Sequence, residues 1–136
     1  MSEVVRIKKE VVEQMLAEAR RIPGLECCGL LAGRDGIITT LLPVANALGS
    51  PTAYQIAPRE LFRVFRAMRE AGLDHLGIYH SHPTTANAPS PRDIELAFYP
   101  EAAYFILSPQ PDARRPVRAY RMQNGHAAEL VVTEVP

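Results

Sequence analysis

His80 and His82 stand one residue apart in an apolar run, 76–82, that reads as a β-strand. Side chains two apart on a strand point to the same face, so both imidazoles face one way. The polar loop 84–89 is long enough to turn the chain back, and Asp93 follows it near a helix start. Two neutral imidazoles and one carboxylate form a ligand set for catalytic zinc, with water in the fourth position. Such a centre lowers the pKa of its water from 15.7 toward roughly 7, giving a nucleophile near neutral pH. The chemistry then needs a base for the proton and a donor for the developing oxyanion. Glu26 is the candidate base, placed just before the apolar run 28–32 where a buried strand begins. Ser90, a helical turn before Asp93, is the candidate donor.

Each residue alone has a plainer reading. A His-x-His pair on a strand arises by chance. Ser90 is explained as an N-cap with Pro91 at the first helical position. Asp93 is explained as a first-turn acid at the positive end of the helix dipole. Glu26 reads as a loop carboxylate after Pro23-Gly24. Their joint spacing and order, rather than any one of them, favours a metal site.

The surrounding pattern must hold these residues in place. A β-branched strand, 4–7, precedes a helix over 8–21 with Val11, Val12, Met15, Leu16 and Ala19 at helical spacing. Pro23-Gly24 ends that helix. Segments 27–32 and 37–44 read as a hairpin, with Gly33 and Gly36 marking its turn. A loop over 46–51 leads to a short extended piece at 54–56. A second helix, 58–71, places Leu61, Val64, Phe65 and Met68 on one face and Arg59, Arg63, Arg66 and Arg69 on much of the other. Gly72 sits past its end. A short helix from Ser90 to about Phe98 follows the histidine strand. Strands at 103–107, 117–122 and 127–135 complete the chain, the last two joined through Asn124-Gly125. Strands mixed with three helices give an α/β fold whose sheet order stays open.

The chain has 136 residues, 47% hydrophobic and 22% charged, which suits one globular domain. Fifteen basic and fifteen acidic residues give no net charge, which argues against a nucleic-acid or membrane-surface partner. No apolar run approaches the ~20 residues of a membrane helix. Arg6, Lys8, Lys9, Glu10 and Glu13 interrupt any signal-peptide core. Cys27 and Cys28 are adjacent, and such neighbours rarely bridge, so a reducing, cytoplasmic setting is expected. Cys28 shares parity with Glu26 and reads either as a core residue or as a thiol near the metal; Cys27 faces the opposite way. His75 and His126 flank turns and read as solvent-facing.

Glu26, His80-Ser81-His82-Pro83 and Ser90-Pro91-Arg92-Asp93 together resemble the JAMM motif of the JAB1/MPN+ metalloproteases. Residues 26–33 are similar to the family's early Glu-containing strand. Asn46, Ser50-Pro51, Tyr54, Tyr79 and the arginine-rich second helix are similar to its small bacterial branch, which acts on ubiquitin-like sulfur carrier proteins. The resemblance implies one metalloprotease domain over 1–136. It implies a mixed β-sheet flanked by helices, of MPN/JAB1-like, cytidine-deaminase-like architecture. It implies His80, His82 and Asp93 as ligands of Zn2+, Glu26 as general acid/base and Ser90 as the oxyanion-side donor. The implied substrate is the extended Gly-Gly tail of a ubiquitin-like or sulfur carrier protein. Cleavage at the last glycine's carbonyl would release an amino acid, cysteine among them, or a conjugated protein. A homodimer is compatible with the resemblance.

The eukaryotic deubiquitinating members carry long insertions that 136 residues leave little room for, so linkage-specific polyubiquitin cleavage is not expected. Two other readings compete. One is a non-catalytic MPN-type binding module for the carrier. Glu26 and Ser90 weigh against it, because a structural zinc closes its fourth position with a protein ligand. The other is a zinc hydrolase of small amides, which differs only in substrate. The second helix's arginines read as a solvated face, or as a surface that steers an acidic carrier.

Overall fold

The computed structural model describes residues 3–136. The elements run β1 (Val4–Lys8), α1 (Lys9–Arg21), β2 (Cys28–Arg34), β3 (Ile37–Val44), α2 (Pro58–Glu70), β4 (Asp74–Ser81), α3 (Pro91–Glu95), β5 (Ala103–Leu107), β6 (Val117–Gln123) and β7 (His126–Val135). The strands pair in the order β1-β3-β2-β4-β5-β6-β7, and β1 pairs β7 in parallel, which closes the sheet on itself. The sheet is mixed: β1/β3 and β4/β5 are parallel, while β2 is antiparallel to both β3 and β4. The β1/β3 seam is short, Arg6 with Ile37 and Ile7 with Ile38, so residues 39–44 of β3 pair with β2 alone.

Both faces of the central strands are covered. β2 is buried along 28–33, and its side chains alternate between two cores. Leu31 packs with Val11, Val12, Met15 and Ala19 of α1. Cys28, Leu30 and Ala32 pack with Val64 and Met68 of α2. Burying each large aliphatic side chain contributes about 1.5–3 kcal/mol. The same alternation runs through β4, where Tyr79 joins the α1 side and Ile78 the α2 side. His80 has the parity of Ile78, so the histidine face of β4 is the α2 face. Gly29 permits this arrangement: a Cβ there would lie 2.5 Å from the Tyr79 ring and 2.6 Å from the Leu42 carbonyl oxygen.

Three details differ from the sequence expectation. The β2–β3 turn is Asp35-Gly36, both at positive φ, whereas Gly33 stays inside β2 beside a register shift. A two-residue turn with both φ positive matches the twist of a hairpin. The helix after Ser90 stops at Glu95 rather than near Phe98. Pro100 disfavours helical backbone at Tyr99, whose N–H is taken by the Tyr104 hydroxyl at 3.0 Å. His75 lies within β4 rather than in a loop, half-buried with edge contacts to the rings of Phe65 and Tyr99. His126 is exposed at the start of β7, as expected. No helix among the described residues is long and apolar enough to cross a membrane.

Candidate metal centre

His80 lies in the buried half of β4, one residue before its end at Ser81, and His82 follows the strand with its N–H donating to the Leu107 carbonyl at 2.9 Å. Asp93 reaches the same place from α3. Ser90 caps that helix: its hydroxyl oxygen accepts the Asp93 N–H at 3.0 Å, and Asp93 Oδ2 accepts the Ser90 N–H at 2.9 Å. This reciprocal capping box holds the carboxylate at the helix start. The plainer reading of Ser90 as an N-cap is therefore satisfied, and the cap also delivers Asp93 to the histidines.

The three groups converge. His80 Nε2 lies 3.1 Å from His82 Nε2 and 3.2 Å from Asp93 Oδ1, and His82 Nε2 lies 3.0 Å from Asp93 Oδ2. No other His, Cys, Asp or Glu joins the cluster among the described residues. A tetrahedral centre with bonds of 2.0–2.1 Å needs donor atoms about 3.3 Å apart, which these separations approach.

The tautomers sharpen the fit. His82 Nδ1 lies 2.8 Å from the Ala86 carbonyl oxygen, so that nitrogen carries a proton and donates it. In neutral His82 the Nε2 lone pair then faces the carboxylate oxygen. Two lone pairs at 3.0 Å require a cation between them, a proton or a metal ion. Burial disfavours charge on His82, but contact with Asp93 and Ala86 outweighs it and raises its pKa. Burial keeps His80 neutral by lowering its pKa, the form a metal ligand needs. Burial alone would raise the pKa of Asp93, yet the two imidazoles and the Ser90 N–H hold it well below the usual carboxylate range. The donors present therefore suit a divalent cation with one coordination position left to solvent or substrate.

Glu26 sits in the irregular segment before β2, not on the strand. It is 5% exposed, and its Oε1 is buried without a hydrogen-bond partner among the described residues. Burial pushes its pKa up to about 7, while the charges of His82, Asp93 and Arg92 act on it from nearby. A carboxyl in that range exchanges protons readily near neutral pH.

Asn46 carries no chemistry of its own but organises this side of the site. Its Nδ2 donates to the carbonyls of Glu26 at 3.1 Å and Ala53 at 2.9 Å. Its Oδ1 accepts the N–H groups of Leu48 at 3.0 Å and Gln55 at 3.2 Å. One amide thus ties the Glu26 backbone to the segment bearing Tyr54, whose ring stacks on His80 at 4.5 Å between centroids. In the sequence Asn46 stood out as a loop asparagine, which turn chemistry explains, and as part of the family resemblance; neither gave it a supporting role.

Cys28 pairs with His80 across the β2–β4 ladder, on the face its parity predicts. Its Sγ instead points to the Val44 carbonyl, 3.8 Å away, and burial pushes the thiol up to about 12. It stays protonated and packs in the α2-side core. An apolar cleft of about 230 Å³ opens beside Asp93, walled by Tyr54, Ile56, Leu61, Leu96, Phe98 and Tyr104.

Comparison with known proteins places these features in context. Residues 8–123 match the family described as prokaryotic homologs of the JAB domain. The CysO-cysteine peptidase of Mycobacterium tuberculosis is 38% identical over 134 residues, covering 97% of this chain and 92% of that protein. A probable TtuB-protein conjugate cleaving protease of Thermus thermophilus is 35% identical, covering 95% of this chain and 83% of the relative. A solution structure from Desulfitobacterium hafniense superposes with a TM-score of 0.82 at 33% identity, over 97% of this chain and 94% of that one. A JAB1/MPN domain protein from Archaeoglobus fulgidus has the same fold, with a TM-score of 0.65 at 19% identity over 96% of this chain and 98% of its own.

Proposed function

The chain belongs to the family of prokaryotic homologs of the JAB domain, and from that premise we propose a zinc-dependent peptidase that cuts after the Gly-Gly tail of a ubiquitin-like carrier protein. One observation carries the hydrolytic reading: among the described residues two imidazoles and a carboxylate converge with no fourth protein ligand, and Glu26 Oε1 is buried without a hydrogen-bond partner. A closed structural site would have no use for Glu26. Two relatives point to the substrate class, one named for cysteine joined to CysO and the other for conjugates of TtuB with protein.

In this reading His80, His82 and Asp93 hold the zinc. Zinc in such a site acidifies water and polarises a scissile carbonyl. Glu26 accepts the proton of the attacking water at its buried carboxylate and delivers it to the leaving nitrogen as the C–N bond breaks. The products are the tail carboxylate and a free amine. Ser90 donates its hydroxyl proton toward the developing oxyanion. Its oxygen already accepts the Asp93 N–H, which leaves that proton available. The tail lies extended, because backbone pairing holds a flexible segment without demanding side chains. Free Cys27 and Cys28 accord with action in a reducing cytoplasm.

Elemental analysis tests the metal reading directly. About one zinc per chain is expected in the wild type and none in a His80→Ala/His82→Ala double variant. No zinc in the wild type, and no tight uptake on titration, would instead support a carrier-binding module.

A further inference from the structure

A metal-ligating histidine is ordinarily fixed by a hydrogen bond from its other ring nitrogen, which sets both tautomer and ring angle. His82 has that bond, to Ala86. His80 does not: its Nδ1 is buried and has no partner among the described residues. The Nδ1 end of the ring is thus set by packing rather than by a hydrogen bond, and rotation about the ring's own axis would swing Nε2 away from Asp93.

The His82 ring is tilted against that of His80 at 4.9 Å, and the ring stacked on the His80 face is that of Tyr54. Its ring lies 4.5 Å from that of His80 with 24° between the planes, a stacked pair. Tyr54 is itself well placed to act as a fixed wall. Asn46 bonds both residues that flank it, the Ala53 carbonyl and the Gln55 N–H. Tyr54 also lines the apolar cleft that opens beside Asp93. Resting on the assignment of His80 as a metal ligand, we propose that Tyr54 is a positioning residue. It holds the His80 ring by stacking where the customary hydrogen bond is missing, and it makes one wall serve both the metal centre and the cleft. The hydroxyl has no part in this role; the ring does.

The test compares Tyr54→Phe, which keeps the ring, with Tyr54→Leu, which keeps apolar bulk and removes it. Zinc affinity is read by competition with a chromophoric chelator, and the ligand field by the visible absorption of the Co2+ form. Thermal melting of each metal-free variant reports whether it folds. Tyr54→Phe should match the wild type in affinity and spectrum. Tyr54→Leu should bind zinc about tenfold to a hundredfold more weakly, the range seen when groups supporting a metal ligand are lost, with an altered Co2+ spectrum. Should Tyr54→Leu not fold, Tyr54→Met supplies the same ringless comparison. Unchanged zinc affinity and spectrum in a folded ringless variant would overturn the proposal, even with a lowered melting temperature. A wild type that binds no zinc would overturn the metal assignment itself, a separate outcome.

Discussion

In the proposed mechanism Glu26 is the residue on which hydrolysis depends most. Its carboxyl is buried close to the charges of His82 and Asp93 and pushed up to about 7 by that burial. A glutamine keeps the shape and removes proton transfer. Glu26→Gln should therefore retain one zinc per chain and lower kcat by roughly 10²–10⁴-fold, the usual contribution of a positioned acid or base. Steady-state kinetics on a carrier substrate, paired with metal analysis, check this. Near wild-type kcat would remove Glu26 from the reaction. The convergence of His80, His82 and Asp93 was legible in the sequence because strand parity and helix capping are local rules, although β4 ends at Ser81, one residue short of His82. Asn46 and Tyr54 were not legible as supports. Their roles depend on which carbonyls and which ring the fold brings beside them, and spacing along the chain carries no record of that.

At the scale of elements, the site is assembled from the end of β4, the start of α3 and the coil before β2. The coil has little regular hydrogen bonding, so Asn46 substitutes for a ladder. Asn46→Ala should strand the Glu26 and Ala53 carbonyls and cost about 1–3 kcal/mol, the penalty of partly buried unpaired groups, as read by urea denaturation. A change within 0.3 kcal/mol would show that water replaces the amide fully, on the order of ordinary surface substitutions.

β4 carries a second testable feature. Burial lowers the pKa of His75 below its ordinary value of 6.5, although its hydrogen bond to the Gly77 carbonyl works the other way. The unfolded chain therefore binds the proton more readily. The stability due to neutral His75 is complete above pH 6.5 and is lost as pH falls through 6.5 toward the lower folded value. Urea midpoints at pH 7.5 and 5.5 should fall further in the wild type than in His75→Phe. Equal falls would place that sensitivity elsewhere. The sequence suggested an exposed loop histidine here. Its shielding comes from Phe65 on α2 and Tyr99 beyond α3, so no local pattern revealed it. Strand and helix positions themselves were largely readable from periodicity. The order β1-β3-β2-β4-β5-β6-β7 and its closure were not, because register between distant strands is set by packing on both faces.

For the whole molecule, the surface around the cleft shows how a folded carrier could be met. Phe98 is 72% exposed and Leu96 is 41% exposed at the cleft wall, and Phe62 is 65% exposed on α2. The arginines of α2 are partly neutralised: Arg63 pairs with Glu60, and Arg66 with Glu70. That shifts the expected contribution from charge steering toward apolar contact at the mouth. Phe98→Asp should raise KM severalfold on an intact carrier and leave kcat/KM on a short tail peptide nearly unchanged. Equal losses on both substrates would mean that Phe98 acts on the tail or on the fold instead.

Peptidase activity is tested most simply with the zinc-loaded chain and a ubiquitin-like carrier extended by a few residues beyond its Gly-Gly tail. Intact-mass spectrometry follows the products over time. One cut is expected, at the carbonyl of the last glycine. That cut should be absent when Glu26→Gln carries the same zinc, and strongly slowed when either glycine is replaced by alanine. A fully zinc-loaded wild type that leaves such carriers uncut, or a Glu26→Gln variant that cuts them equally well, would contradict the proposed mechanism.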